Sequence, residues 1–168
     1  MNPEKLTLAT LFGVIVFAFE TILPPPIGHA FVLLQALLLS LGHLMLGTPG
    51  ATYVSIVGGL LTAVLRTPLA PFTATFALLY GLLIDAIAST IKVRGAKDDV
   101  KVKRLIIAVT VSTTIVGLAS YYTSVLLKVF ITRNPMLEVG ILVAGILNGL
   151  AGGYLAVVVW KRIRKQIE

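Results

Sequence analysis

Six apolar runs, separated by short breaks of proline, glycine or basic residues, leave this chain few folds to choose from. They run from Leu6 to Leu23, Phe31 to Leu46, Ala51 to Leu65, Phe72 to Ile91, Leu105 to Val129 and Leu137 to Trp160. A helix needs about 20 apolar residues to cross a bilayer. Six spans therefore use up nearly all of the 168 residues and leave no room for a soluble catalytic domain. Charged residues make up only 12% of the chain, about half the share of a soluble protein. The expectation is an all-α, polytopic membrane protein: a single domain, 1–168, of six transmembrane helices. There is no cysteine, so disulfides and thiolate metal sites are excluded. The amino end has neither a basic n-region nor a small-residue cleavage site, so the first helix is expected to stay in the mature protein.

The net charge of +7 could point to nucleic acid, but its distribution argues against that. Eleven of the 14 Lys and Arg fall on one side of a six-span topology: Lys5, six in the basic loop 92–104 and four in Lys161–Lys165. Arg66, Lys128 and Arg133 fall on the other. The positive-inside rule then places both termini and loop 92–104 in the cytoplasm, in a multi-pass protein of the cell membrane.

The first break is the most distinctive. It runs Glu20-Thr-Ile-Leu-Pro-Pro-Pro-Ile-Gly-His29. Three prolines cannot continue a helix, because each lacks an N–H and restricts the residue before it. A stiff outer loop, 24–30, is expected, with Glu20 just inside the membrane below it. An ionised carboxylate in hydrocarbon costs several kcal/mol and needs a cavity or a cation. Glu20 therefore either contacts a ligand or pairs with Arg66 or Lys128. His29 caps a ligand or is simply solvated. A metal site shared with His43 fails on reach, since the two histidines would be about 20 Å apart along a helix.

Further candidates lie on the later spans. Thr110, Thr114, Gly117, Tyr121 and Ser124 recur at three- and four-residue spacing and share one face. They form either a cavity wall with Tyr121 inward, or an interfacial belt whose Ser and Thr bond their own helix. Gly145, Gly149 and Gly153 allow close helix packing. Asn148 beside them is an amide that needs partners from a ligand or a neighbouring helix. Ala9 and Gly13 make a small-residue pair on the first span, facing either a partner or the chain's own helices. Phe72, Phe76 and Tyr80 form an aromatic stripe. Asp85 is expected to be structural, with Lys92 folding back towards it.

Enzymatic classes find no support. There is no Gly-rich nucleotide loop with Lys and Ser/Thr. No Ser/His/Asp set converges on one side of the membrane. No cofactor or metal site is expected, and no regular arginine repeat marks a voltage sensor.

The Pro/Gly loop after the first span, the Leu-Gly-Thr-Pro-Gly50 hairpin, the Tyr-Gly-Leu-Leu-Ile-Asp85 run and the closing Leu-Asn-Gly-Leu-Ala-Gly-Gly153 before a basic tail carry a resemblance. The chain resembles the substrate-binding S component of energy-coupling factor (ECF) transporters. That resemblance implies a vitamin, vitamin precursor or metal ion bound at the outer side, under the first loop. It also implies a transmembrane coupling subunit and cytoplasmic ATPases as partners, with Ala9 and Gly13 meeting the coupling subunit. The metal branch uses a histidine close to the amino terminus, and Met1-Asn2-Pro3 departs from it. The expected function is capture of a small water-soluble vitamin or precursor by Glu20, His29, Tyr121 and Asn148. The solute is expected to be a ring of cationic or N–H character, such as thiamine or its pyrimidine precursor. Two other classes remain open: a self-sufficient proton-coupled carrier or channel using Glu20 and Asp85, and a membrane scaffold with no ligand.

Overall fold

The computed structural model describes residues 3–22, 28–65, 70–94, 100–127 and 133–167. Pro24–Pro26, Arg66 and Lys128 lie outside these, as do residues 95–99 of the basic loop. Six helices account for nearly all of the described chain: α1 (Pro3–Ile22), α2 (Gly28–Leu46), α3 (Gly50–Leu65), α4 (Ala70–Thr90), α5 (Val102–Leu126) and α6 (Pro135–Ile167). The helices match the six apolar runs. The largest departure is α6, which continues through the basic tail to Ile167. Among the described residues, three helical segments are long and apolar enough to cross a membrane: Pro71–Thr90, Val102–Leu126 and Pro135–Lys165. Two more, Val32–Leu46 and Gly50–Leu65, are apolar but shorter.

These helices turn large apolar side chains outward. Val64, Leu126 and Met136 are 71%, 80% and 84% exposed. A surface this apolar suits lipid and not water, which fits a membrane protein.

The arrangement centres on α2. It packs on all five other helices, whereas α1 touches only α2 and α3, and α6 only α2 and α5, among the described residues. The reason is in its composition: α2 is apolar nearly all round, and such a helix is stable only when surrounded. Leu39 and Leu44 are fully buried.

One polar residue of α2, His43, meets a carboxylate from α4. Asp85 is buried, and its Oδ1 lies 2.6 Å from Nδ1 of His43. The same oxygen accepts the Ala51 N–H at 3.3 Å. Its Oδ2 accepts the Thr52 N–H at 2.8 Å and the Thr52 hydroxyl at 2.7 Å. Those amides belong to the first turn of α3, where no intrahelical acceptor exists and the helix dipole favours a negative charge. Asp85 is structural, as its position implied, but its partners are α2 and α3. Lys92 does not fold back; it sits exposed just past α4 with φ 52°.

The opposite charge is used at the end of α2. Arg94 donates to the Leu44 carbonyl and Lys5 Nζ to the Leu46 carbonyl. Both cations face the negative end of the helix. Gly47, at φ 81°, then makes the left-handed turn that leads into α3.

Elsewhere small residues set the distances between helices. A β-carbon on Gly145 would lie 3.1 Å from the Thr114 Cα, on Gly149 2.5 Å from the Thr110 Cα, and on Gly153 3.1 Å from the Ile106 Cα. The three pairs run in antiparallel register along one α5–α6 seam, the close packing expected of these glycines. Gly13 meets Val57 and the backbone of Gly58 in the same manner. Ala9 is fully buried. Of the two roles open to Ala9 and Gly13, the structure gives packing within the chain: both face the bundle, where a partner helix cannot reach them.

Two outcomes test this packing. Asp85→Ala leaves His43 and the α3 amides without their acceptor, and is expected to destabilise the protein by about 3 kcal/mol in equilibrium unfolding in mixed micelles. Gly149→Val should cost about 3 kcal/mol by overpacking against backbone. Gly140→Ala, where an added β-carbon meets nothing within 4 Å, should be neutral or slightly stabilising.

Candidate functional site

Between α2, α5 and α6 lies a cavity of about 270 Å³. It sits in the half of the bundle away from the chain termini. Helix α5 supplies its polar wall through Thr113, Ser120, Tyr121 and Ser124, with Gly117 leaving space in the middle. Helix α6 adds Asn148 and Gly145 beside Ile141 and Ala144, and α2 adds Val32. The wall exists because residues 113, 117, 120, 121 and 124 recur every three or four positions and so project from one side of a helix.

Three of the four polar groups on this wall are held by specific bonds. The Thr113 hydroxyl donates to the Val109 carbonyl at 2.7 Å and lies 2.6 Å from the hydroxyl of Tyr80 on α4. Ser124 donates to the Ser120 carbonyl at 2.8 Å. The Tyr121 hydroxyl accepts the Asn134 N–H at 3.0 Å and donates to the Asn134 carbonyl at 3.1 Å. Asn134 in turn accepts the Met136 N–H at 2.9 Å through its side chain. It thus caps α6, with Pro135 in the first helical position. Tyr121 therefore fixes the entry to α6 with its hydroxyl and faces the cavity with its ring.

Of the residues picked out from sequence, Tyr121 and Asn148 meet in this cavity, and Gly117 and Ser124 join them. Thr110 and Thr114 do not line it: they are the α5 side of the glycine seam. The cavity uses Thr113 and Ser120 instead. Periodicity marked the face but could not choose between the neighbours Thr113 and Thr114. Nothing in the sequence marked the apolar lining residues Val32, Ile141 and Ala144.

Glu20 is placed elsewhere. It is half-buried and accepts the Thr62 hydroxyl of α3 at 2.7 Å. The Gly13–Gly58 contact holds α1 on α3, and α1 does not reach α5 or α6 among the described residues. Glu20 is not a lining residue of the α2–α5–α6 cavity. The backbone of His29 is in the first turn of α2, and its side chain lies outside the described residues. Phe72 and Phe76 pack with their rings tilted at 52° and centroids 4.6 Å apart, and neither is in the cavity lining. No group of three or more metal-ligating side chains occurs among the described residues.

No protein family model, curated protein or solved structure matches this chain.

Tyr121→Phe separates the two roles of this residue. It keeps the ring but removes both hydrogen bonds to Asn134. The expected result is a loss of about 1–2 kcal/mol in stability and faster hydrogen exchange at the Asn134 and Met136 amides, read by exchange mass spectrometry.

Proposed function

We propose that this is a multi-pass protein of the cell membrane, with all six helices crossing the bilayer and both termini in the cytoplasm. In this reading it captures a small water-soluble vitamin or vitamin precursor at the outer side, acting as the S component of an ECF-type transporter. A transmembrane coupling subunit and cytoplasmic ATPases would power release. It is not an enzyme in this reading and carries no cofactor.

The observation that supports the reading is the α2–α5–α6 cavity. It combines an amide, four hydroxyl-bearing residues, one of them the aromatic Tyr121, and aliphatic side chains. That mixture is typical of small-molecule sites, which are mostly apolar with a few orienting polar groups. Its place, in the half of the bundle away from the basic tail, is where a solute arriving from outside would be met under the proposed topology. The larger groove along Met136, Val139, Val143 and Leu147 offers no polar side chain to orient a solute. Contact between Ala9 or Gly13 and a coupling subunit is not part of the proposal, since both are buried against the chain's own helices.

The test is the small-molecule content of the purified protein. Mass spectrometry of solutes released on denaturation should find a bound compound in the wild type. Asn148→Leu should lower affinity for that compound at least tenfold, about 1.4 kcal/mol, while the protein keeps its helical content. A wild type that binds no small molecule, from its host or from added vitamins, would remove solute capture as the function.

A further inference from the structure

This inference rests on the cavity being a ligand site, and names the chemistry of what fits it. We propose that the cavity selects a planar, uncharged ring that presents N–H donors to α5.

A hydroxyl has one proton to give. Thr113 gives its proton to the Val109 carbonyl, so its bond with Tyr80 must be donated by Tyr80. Ser124 gives its proton to the Ser120 carbonyl. Both hydroxyls can then offer only oxygen lone pairs to a guest. The Tyr121 hydroxyl is committed in both directions to Asn134, donating to one atom and accepting from another. At Thr113 and Ser124 the α5 wall therefore offers acceptors only, beside the Tyr121 ring, while Ser120 can also donate.

A guest that satisfies it brings its own donors. Ring N–H groups match the lone pairs left on Thr113 and Ser124, and a flat ring can pack against Tyr121. Asn148 lines the same space from α6. Ile141, Ala144 and Val32 complete the slot with aliphatic surface. At about 270 Å³ it is smaller than the sites that hold drug-sized ligands. The described lining carries no ionised side chain. A charged guest would lose its hydration there without a counter-charge. The carboxylate that could have favoured a cation, Glu20, is bonded to Thr62 and is not part of the lining.

The experiment is thermal melting of the full chain in detergent against matched solutes. Uracil is set beside 1,3-dimethyluracil, hypoxanthine beside its N-methylated form, and nicotinamide beside its N,N-dimethyl form. Thiamine serves as the cation and nicotinate as the anion. At least one N–H compound should raise the melting temperature while its methylated partner does not. Ser124→Ala should weaken that compound's binding about fivefold, the effect of one lost neutral acceptor, without changing the melting temperature of the ligand-free protein. Equal stabilisation by a methylated partner overturns the proposal. So does stabilisation by thiamine or nicotinate alone. If Asn148→Leu abolishes that charged-solute binding, the cavity remains a capture site and only the ligand chemistry falls. A panel in which nothing stabilises the wild type overturns this proposal, and the mass-spectrometric search then decides whether solute capture falls with it.

Discussion

The buried carboxylate of Asp85 determines how the first half of this protein goes together. It is one side chain on α4, yet it holds the first turn of α3 and the histidine near the end of α2. In an apolar setting such a group is tolerable only when its lone pairs are filled and its charge faces a positive partner. The exposed amides of a helix start provide both. Arg94 and Lys5 do the converse at the end of α2, where carbonyls are left over. The α2–α3 turn is thus clamped from one side by an anion and from the other by two cations. A hairpin of two short apolar helices gains a fixed geometry that apolar contacts alone, which have no direction, would not impose.

The second half relies on surface shape. Where glycine faces Cα on the other helix, α5 and α6 come close and no cavity survives. That holds at Gly149 and Gly153, while Gly145, the third of the seam, already borders the cavity. Towards the start of α6 the α5 face changes to Gly117, Ser120, Tyr121 and Ser124, and the space behind it opens into the cavity. The Tyr121–Asn134 pair closes the far end and keeps the helices from sliding together or apart. A tight seam below and a pinned turn above frame the cavity.

Much of this was legible in the chain, because membrane helices carry strong signals. The six apolar runs marked six helices, and the four-residue spacing of Gly145, Gly149 and Gly153 marked a seam. Tyr121 and Asn148 stood out because polar groups in apolar runs need partners. What could not be read was which helix met which. Glu20 looked like a site residue because sequence places it at the same end of the bundle as Tyr121. Level is a one-dimensional property, and the lateral position of α1 is set by the fit of Gly13 against Val57 and Gly58. Asp85 shows the same gap: its charge and its structural role were visible, but Lys92 seven residues on was the only partner that helical spacing could offer. His43 and Thr52 come from other helices, and no periodicity points to them.

The same physics explains why serine and threonine could play two parts on one helix. In a medium without water, a hydroxyl proton goes to the nearest carbonyl, which on a helix is four residues back. Thr113, Thr114, Thr123 and Ser124 all do this. The bond costs the helix little and removes the only donor from each group. Where such a residue faces a seam, as Thr114 does against Gly145, the group behaves as a small spacer. Where it faces a cavity, as Ser124 does, its leftover lone pairs become a surface of defined polarity. One residue type therefore serves packing and recognition alike, and the shape of the neighbouring helix decides between them.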